Sequence, residues 1–158
     1  MAVDYFLKLD GIAGESEDSN HKGWITLHSF SWGGQQITSV GHTGGSGAGK
    51  ADLADFSVTK NLDKATTPTF KAMVTGQHIK TASLEAVKAG SSGKPFLKID
   101  MKEIFVTTQH ITATNEIPTE SVSFSYNEIK SEYSTQNDQG VVTVTGSVTF
   151  NTAQNKAS

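Results

Sequence analysis

The sequence predicts a mainly β fold, a sandwich or closed barrel, with one short helix. Three observations carry that expectation. Several segments alternate apolar and polar residues with a period of two, most clearly Leu97, Ile99 and Met101 against Lys98, Asp100 and Lys102. The 15 glycines and the abundance of serine and threonine suit many turns between strands. Only one segment follows the helical i, i+3, i+4 spacing. A chain of 158 residues suits one domain over 1–158 with a single sizeable core.

In order, Tyr5, Leu7 and Leu9 mark one face of a first strand, and a loop runs from Gly11 to Gly23. Trp24 to Trp32 reads as a strand rich in aromatic and β-branched residues, and Gly33-Gly34 permits a bend. Gln35 to Val40 continues that ribbon. Gly41 to Lys50 is then expected to be the long glycine-rich tip of a hairpin whose return strand is Phe56 to Lys60. The helix is expected between a Thr67 cap with Pro68 as its first residue and a closing Gly76, with Phe70, Met73 and Val74 as the packing stripe. Ala82, Leu84 and Ala86 mark the next strand, Gly90 to Gly93 a turn, and Leu97 to Lys102 and Phe105 to Thr114 two further strands. Val122, Phe124 and Tyr126 alternate with serines. Val141 to Phe150 is the last strand region, with a bulge or bend at Gly146, and the polar tail 151–158 is expected to fray.

Gly44 and Gly49-Lys50 have phosphate-loop spacing, but Ala51 stands where the pattern needs a magnesium-binding hydroxyl. A strand-like segment follows, rather than a helix whose N-terminus could face an anion. A flexible hairpin tip is the better reading of the same residues. Ser46 nearly forms a nucleophile elbow and fails at Ala48. Glu15, Glu17 and Asp18 lack the central glycine and downstream glutamate of a calcium loop. His21, His28, His42, His78 and His110 show no metal-binding spacing. Trp24 and Trp32 suggest a sugar platform, yet they bracket Ile25, Leu27 and Phe30, so packing or an interface is the default. No catalytic residue, metal or cofactor is expected.

The charge of −3 favours solubility, and all 13 cationic side chains are lysines. The absence of arginine counts against nucleic-acid recognition. There is no cysteine for disulfides or thiolate metal sites. No apolar run is long enough for a membrane helix, and Lys8 and Asp10 interrupt the early apolar stretch that a secretory signal would need.

Several ordered blocks span nearly the whole chain: Tyr5 to Ile12 with Gly14-Glu15-Ser16, Gly23-Trp24-Ile25, Ser29-Phe30-Ser31-Trp32-Gly33, and Asp55 to Lys60 running into Leu62 to Thr66. They continue with Gly76-Gln77-His78-Ile79, Ala89-Gly90, Pro95-Phe96-Leu97 and Val122 to Tyr126. As an ordered set they resemble the haemolysin-coregulated protein (Hcp) family, the tube-forming component of the type VI secretion system. The resemblance implies a single-domain β-barrel with one flanking helix and an extended hairpin loop. It implies a homohexameric ring, with rings stacked into a hollow tube enclosed by a sheath, capped by a spike and carrying small effectors. It also implies assembly in the bacterial cytoplasm and export without a cleaved leader, as the plain form lacking a C-terminal toxin. The glycine loop occupies the place of the family's intersubunit loop, so His42, Thr43, Gly44, Gly45, Ser46, Gly47 and Lys50 are the expected contact residues. The competing readings are a nucleotide-binding enzyme using that loop and a secreted carbohydrate-binding module.

Overall fold

The computed structural model describes residues 2–39, 47–89 and 92–158, and they form a mainly β fold with one helix. Strand β1 (Val3–Leu9) lies between β2 (Ile25–Leu27) and β7 (Ile79–Lys88), antiparallel to both. Beyond β7 come two 18-residue strands, β8 (Pro95–Thr112) and β9 (Thr119–Gln136), also antiparallel. The far edge of β9 is shared. β6 (Phe56–Asn61) pairs with its first half, and β10 (Val142–Asn151) pairs from Glu128 onward. β3 (Ser29–Ser31) joins the other side of β6, and the two-residue β11 (Lys156–Ala157) covers one end of β10. Strands β4 (Gly34–Ser39) and β5 (Gly47–Leu53) form a separate two-stranded sheet.

The alternation read in the sequence sets the core. Ile25, Leu7, Leu84 and Ile99 lie opposite one another across four strands, and Leu9, Ala82, Met101 and Ile129 form the next row. All eight are buried. Each large aliphatic side chain among them contributes roughly 2 kcal/mol through burial. Phe56 and Phe124, opposite each other on β6 and β9, close the core from the other side.

Several expectations are corrected. Trp24 to Trp32 is not one strand: it divides at His28 into β2 and β3, which pair with different partners. The two strands expected between Leu97 and Thr114 are one, bent where Glu103 adopts a positive φ of 56°. The tail turns back, with Thr152 N–H donating to Asn127 and Ser158 exchanging hydrogen bonds with Thr149. The bulge near Gly146 is present, as a register shift between Val144 and Gly146 against β9.

Helix α1 (Thr66–Thr75) ends as expected at Gly76, whose φ of 65° is left-handed. Its start and its buried face differ. Ala65 is the N-cap without a side-chain cap, while the Asp63 carboxylate accepts from the Ala65 N–H. Thr69 and Ala72 are buried and Met73 packs against the core as expected, but Phe70 is 53% and Val74 60% exposed. The reason is polar. The Gln109 side-chain amide donates to the Thr66 carbonyl at 3.1 Å, and the Thr66 hydroxyl donates to Glu120 at 2.8 Å. These bonds fix the helix rotation so that Thr69, Ala72 and Met73, rather than Phe70 and Val74, turn toward the core.

The loop between β1 and β2 closes on itself through Gly14 N–H to Gly23 O (2.8 Å) and Ser16 N–H to Trp24 O (3.0 Å). A Cβ on Gly14 would stand 2.6 Å from Ile25 Cα and closer still to the Trp24 carbonyl, so backbone rather than a flexible side chain would have to give. Gly14→Ala is therefore expected to destabilise by about 3 kcal/mol, read from urea unfolding. A loss under 0.5 kcal/mol would show that the loop shifts freely.

Candidate assembly surface

The residues expected to make contacts divide at residue 47. His42, Thr43, Gly44, Gly45 and Ser46 lie outside the described residues. Gly47 and Lys50, placed in a loop by the sequence, belong instead to strand β5, with Lys50 exposed. The hairpin is thus longer in strand than its glycines suggested: Gly34 pairs with Leu53, Gln36 with Ala51 and Ser39 with Gly47. Glycine permits this because Ile37 lies so close that a Cβ on Gly49 would meet its backbone carbonyl. Lys50 and Ala51 being mid-strand, with strand β6 as the next element, also removes the geometry of a phosphate loop.

In the main sheet the outer edge of β10 is unpaired from Val142 to Val148, among the described residues. The core row of Ile25, Leu7, Leu84 and Ile99 continues to Ser131 on β9 and Val148 on β10, and there it emerges into solvent. Val148 is 57% exposed, and Tyr133, Val141 and Val144 are exposed with it. An open edge flanked by uncovered apolar side chains is a template for pairing with another chain. The sequence reading placed the strand but not its exposure, because a valine on an uncovered sheet reads like any core valine.

The sheet surface away from the core has two chemistries. Across β7, β8 and β9, Glu85, Lys98 and Glu132 lie in one row, Ser83, Asp100 and Lys130 in the next, and Thr81, Lys102 and Glu128 in the third. Charge alternates in both directions, with Lys102 and Glu128 paired at 3.1 Å. Across β3, β6, β9 and β8, by contrast, Ser29, Thr59, Ser121 and His110 share a row, beside Ser31, Ser57, Ser123 and Thr108. Those two rows carry no carboxylate or ammonium group. The hydroxyls of Ser57 and Ser123 lie 2.8 Å apart, and those of Ser29 and Thr59 are also hydrogen-bonded.

Several other residues singled out in the sequence have structural partners. His21 is buried, stacked on Phe6 at 4.3 Å, with Nδ1 2.7 Å from the Asp18 carboxylate. That hydrogen bond holds the Asp18 carboxyl below its ordinary value. His28 Nε2 lies 2.7 Å from the Asn61 side-chain oxygen, and His78 pairs with Glu103. Trp24 meets His21 edge-on, and Trp32 packs against the core with its Nε1–H donating to Tyr126 Oη at 2.7 Å. Among the described residues, no three His, Cys, Asp or Glu side chains are grouped to hold a metal ion.

The fold and sequence have known counterparts. The protein hcp1 of Pseudomonas aeruginosa is 34% identical over 143 residues, 89% of this chain and 88% of that protein. A solved type six secretion system protein superposes with a TM-score of 0.92 at 30% identity, covering 99% of this chain and 100% of the other. Hcp1 from Salmonella typhimurium superposes with a TM-score of 0.80 at 27% identity, covering 99% and 100%. The family model described as "Type VI secretion system effector, Hcp" matches residues 6–133. With that match over most of its length, the chain belongs to the Hcp family of type VI secretion system proteins.

Proposed function

We propose that this chain is a structural, non-enzymatic subunit of the type VI secretion tube, forming hexameric rings that stack into a hollow tube and carry small effectors. The observation that carries the reading is the uncovered end of the sheet, where the β10 edge and Val144, Val148 and Tyr133 stand exposed. A heterologous contact between such an edge and a different surface of the next copy closes into a ring when its rotation permits. Within each subunit, β3, β6, β9, β8, β7, β1 and β2 pair in succession, and β2 runs through His28 straight into β3, a continuity of the chain that supports a closed barrel. The hydroxyl face of β3, β6, β9 and β8 is the proposed lumen wall: its short serine and threonine side chains give polar contact without a carboxylate or ammonium group to trap cargo. The hairpin, with His42, Thr43, Gly44, Gly45, Ser46, Gly47 and Lys50, is the proposed contact between subunits or rings. Sheath and spike proteins are the other partners. The assembled tube belongs to the cytoplasm, and secretion delivers it outside the cell or into a target cell.

Electron microscopy of the purified protein is expected to show rings with a central hole. A strictly monomeric protein at high concentration would overturn the reading. Titration with magnesium and ATP is expected to give no binding. Micromolar affinity lost in Lys50→Ala would favour a nucleotide enzyme instead.

A further inference from the structure

Among the described residues, the β4–β5 hairpin pairs with no strand of the main sheet and joins the body at its base, between Gly33 and Ala54. Its two ends are tied together there by Ala54 N–H donating to the Gly33 carbonyl at 2.8 Å. Opposite this base, the shared edge of β9 has a gap. β6 pairs with β9 as far as Phe124, and β10 begins at Glu128. Tyr126 sits in the gap. Its hydroxyl accepts from Trp32 Nε1–H at 2.7 Å and donates to the Ala54 carbonyl at 2.8 Å.

The direction of this relay is fixed by chemistry. An indole N–H only donates and a carbonyl only accepts, so the phenol must do both, and its proton must lie toward Ala54. Burial, with the nearby Asp55 charge adding to it, pushes the phenol above its ordinary value despite the Trp32 hydrogen bond. The proton thus stays in place at neutral pH. Trp32 precedes the hairpin on one side and Ala54 follows it on the other, so one hydroxyl ties both connections to β9.

We propose that Tyr126 is the positioning residue that sets the angle of the β4–β5 hairpin to the body, so that removing its hydroxyl frees the hairpin without unfolding the sheet. Leu53 and Trp32 keep their packing against the core in Tyr126→Phe, while the relay loses both hydrogen bonds. The consequence for assembly rests on the tube-subunit reading; the hinge itself does not.

Two measurements test it. The chain has only two tryptophans, so the Trp32 indole N–H can be assigned by NMR from Trp32→Phe. In Tyr126→Phe its solvent exchange is expected to rise roughly tenfold, with core amides of β1 and β7 unchanged. Because the chain has no cysteine, spin labels at Lys50→Cys and Lys80→Cys report the distance between hairpin and body. That distribution is expected to broaden in the Tyr126→Phe background. An unchanged distribution overturns the proposal, and so does acceleration of core amides together with the indole, which would mean general destabilisation. If the tube reading also holds, Tyr126→Phe raises the concentration needed for half-assembly about tenfold. A wild-type protein that forms no rings sinks the tube reading alone, because both hinge measurements work on the monomer.

Discussion

Glu120→Ala is expected to destabilise the protein by about 3–5 kcal/mol, the cost of breaking a buried ion pair by removing one partner. Lys60 and Glu120 are 3% and 2% exposed and form a direct ion pair between β6 and β9. Lys60 Nζ also lies 2.8 Å from Asp63, and Glu120 accepts from Thr66 at 2.8 Å and Gln109 at 2.7 Å. Removing the Glu120 carboxylate strands an ammonium group with one partner and unties the start of α1. Urea unfolding at pH 7 checks the size of the loss, and a value below 1 kcal/mol would mean that the site is hydrated. Replacing both partners, as in Lys60→Met with Glu120→Leu, is expected to cost less than Glu120→Ala alone, because neither member of the pair is left buried without the other.

The same network predicts an acid limb. Burial acts to raise the Glu120 carboxyl, but hydrogen bonds from Lys60, Gln109 and Thr66 outweigh it and hold the group below its ordinary value near 4.5. A carboxyl depressed in the folded state contributes stability that is complete above its unfolded value and lost as pH falls through the folded one. Unfolding midpoints should therefore drop between pH 5 and more acidic conditions, and more gently in Glu120→Gln. Identical slopes for the two proteins would remove Glu120 from the acid response.

What could be read from the sequence follows the range of the interaction. Strands β1 and β7 and the first half of β8 announce themselves by alternation, because each has one buried face, and a period of two is visible within five residues. Helix α1 was legible in place but only partly in rotation: of the expected stripe, Met73 packs against the core while Phe70 and Val74 are exposed. The hydrogen bonds that turn it come from Gln109 and Glu120, more than 40 residues away. The second half of β9 hid for a related reason. From Asn127 to Gln136 only Ile129 is a buried apolar residue, so polar residues stand on both faces and the alternation is lost. β5 was hidden by Gly47 and Gly49, which offer no pattern and whose strand conformation depends on β4. The Lys60–Glu120 pair and the Trp32–Tyr126 contact join residues 60 and 94 apart, and only the folded sheet brings them together.

Val148→Lys is expected to leave the monomer's stability within about 0.5 kcal/mol and to weaken ring assembly at least about tenfold. Val148 already stands in solvent in the isolated chain, so a lysine there loses little packing. In a ring that covers this end of the sheet, the ammonium would replace a methyl pair in the row that begins in the core with Ile25, Leu7, Leu84 and Ile99. Ser147→Lys is the matched control. It sits on the same strand but on the opposite face, across from Glu132, where a cation meets a carboxylate. Sedimentation velocity over a concentration series separates the outcomes. Loss of assembly in Val148→Lys alone places the contact on the apolar face. Equal loss in both places it along the edge itself, where side-chain direction matters less than the free backbone groups. No loss in either would remove β10 from the interface and leave the hairpin as the remaining candidate.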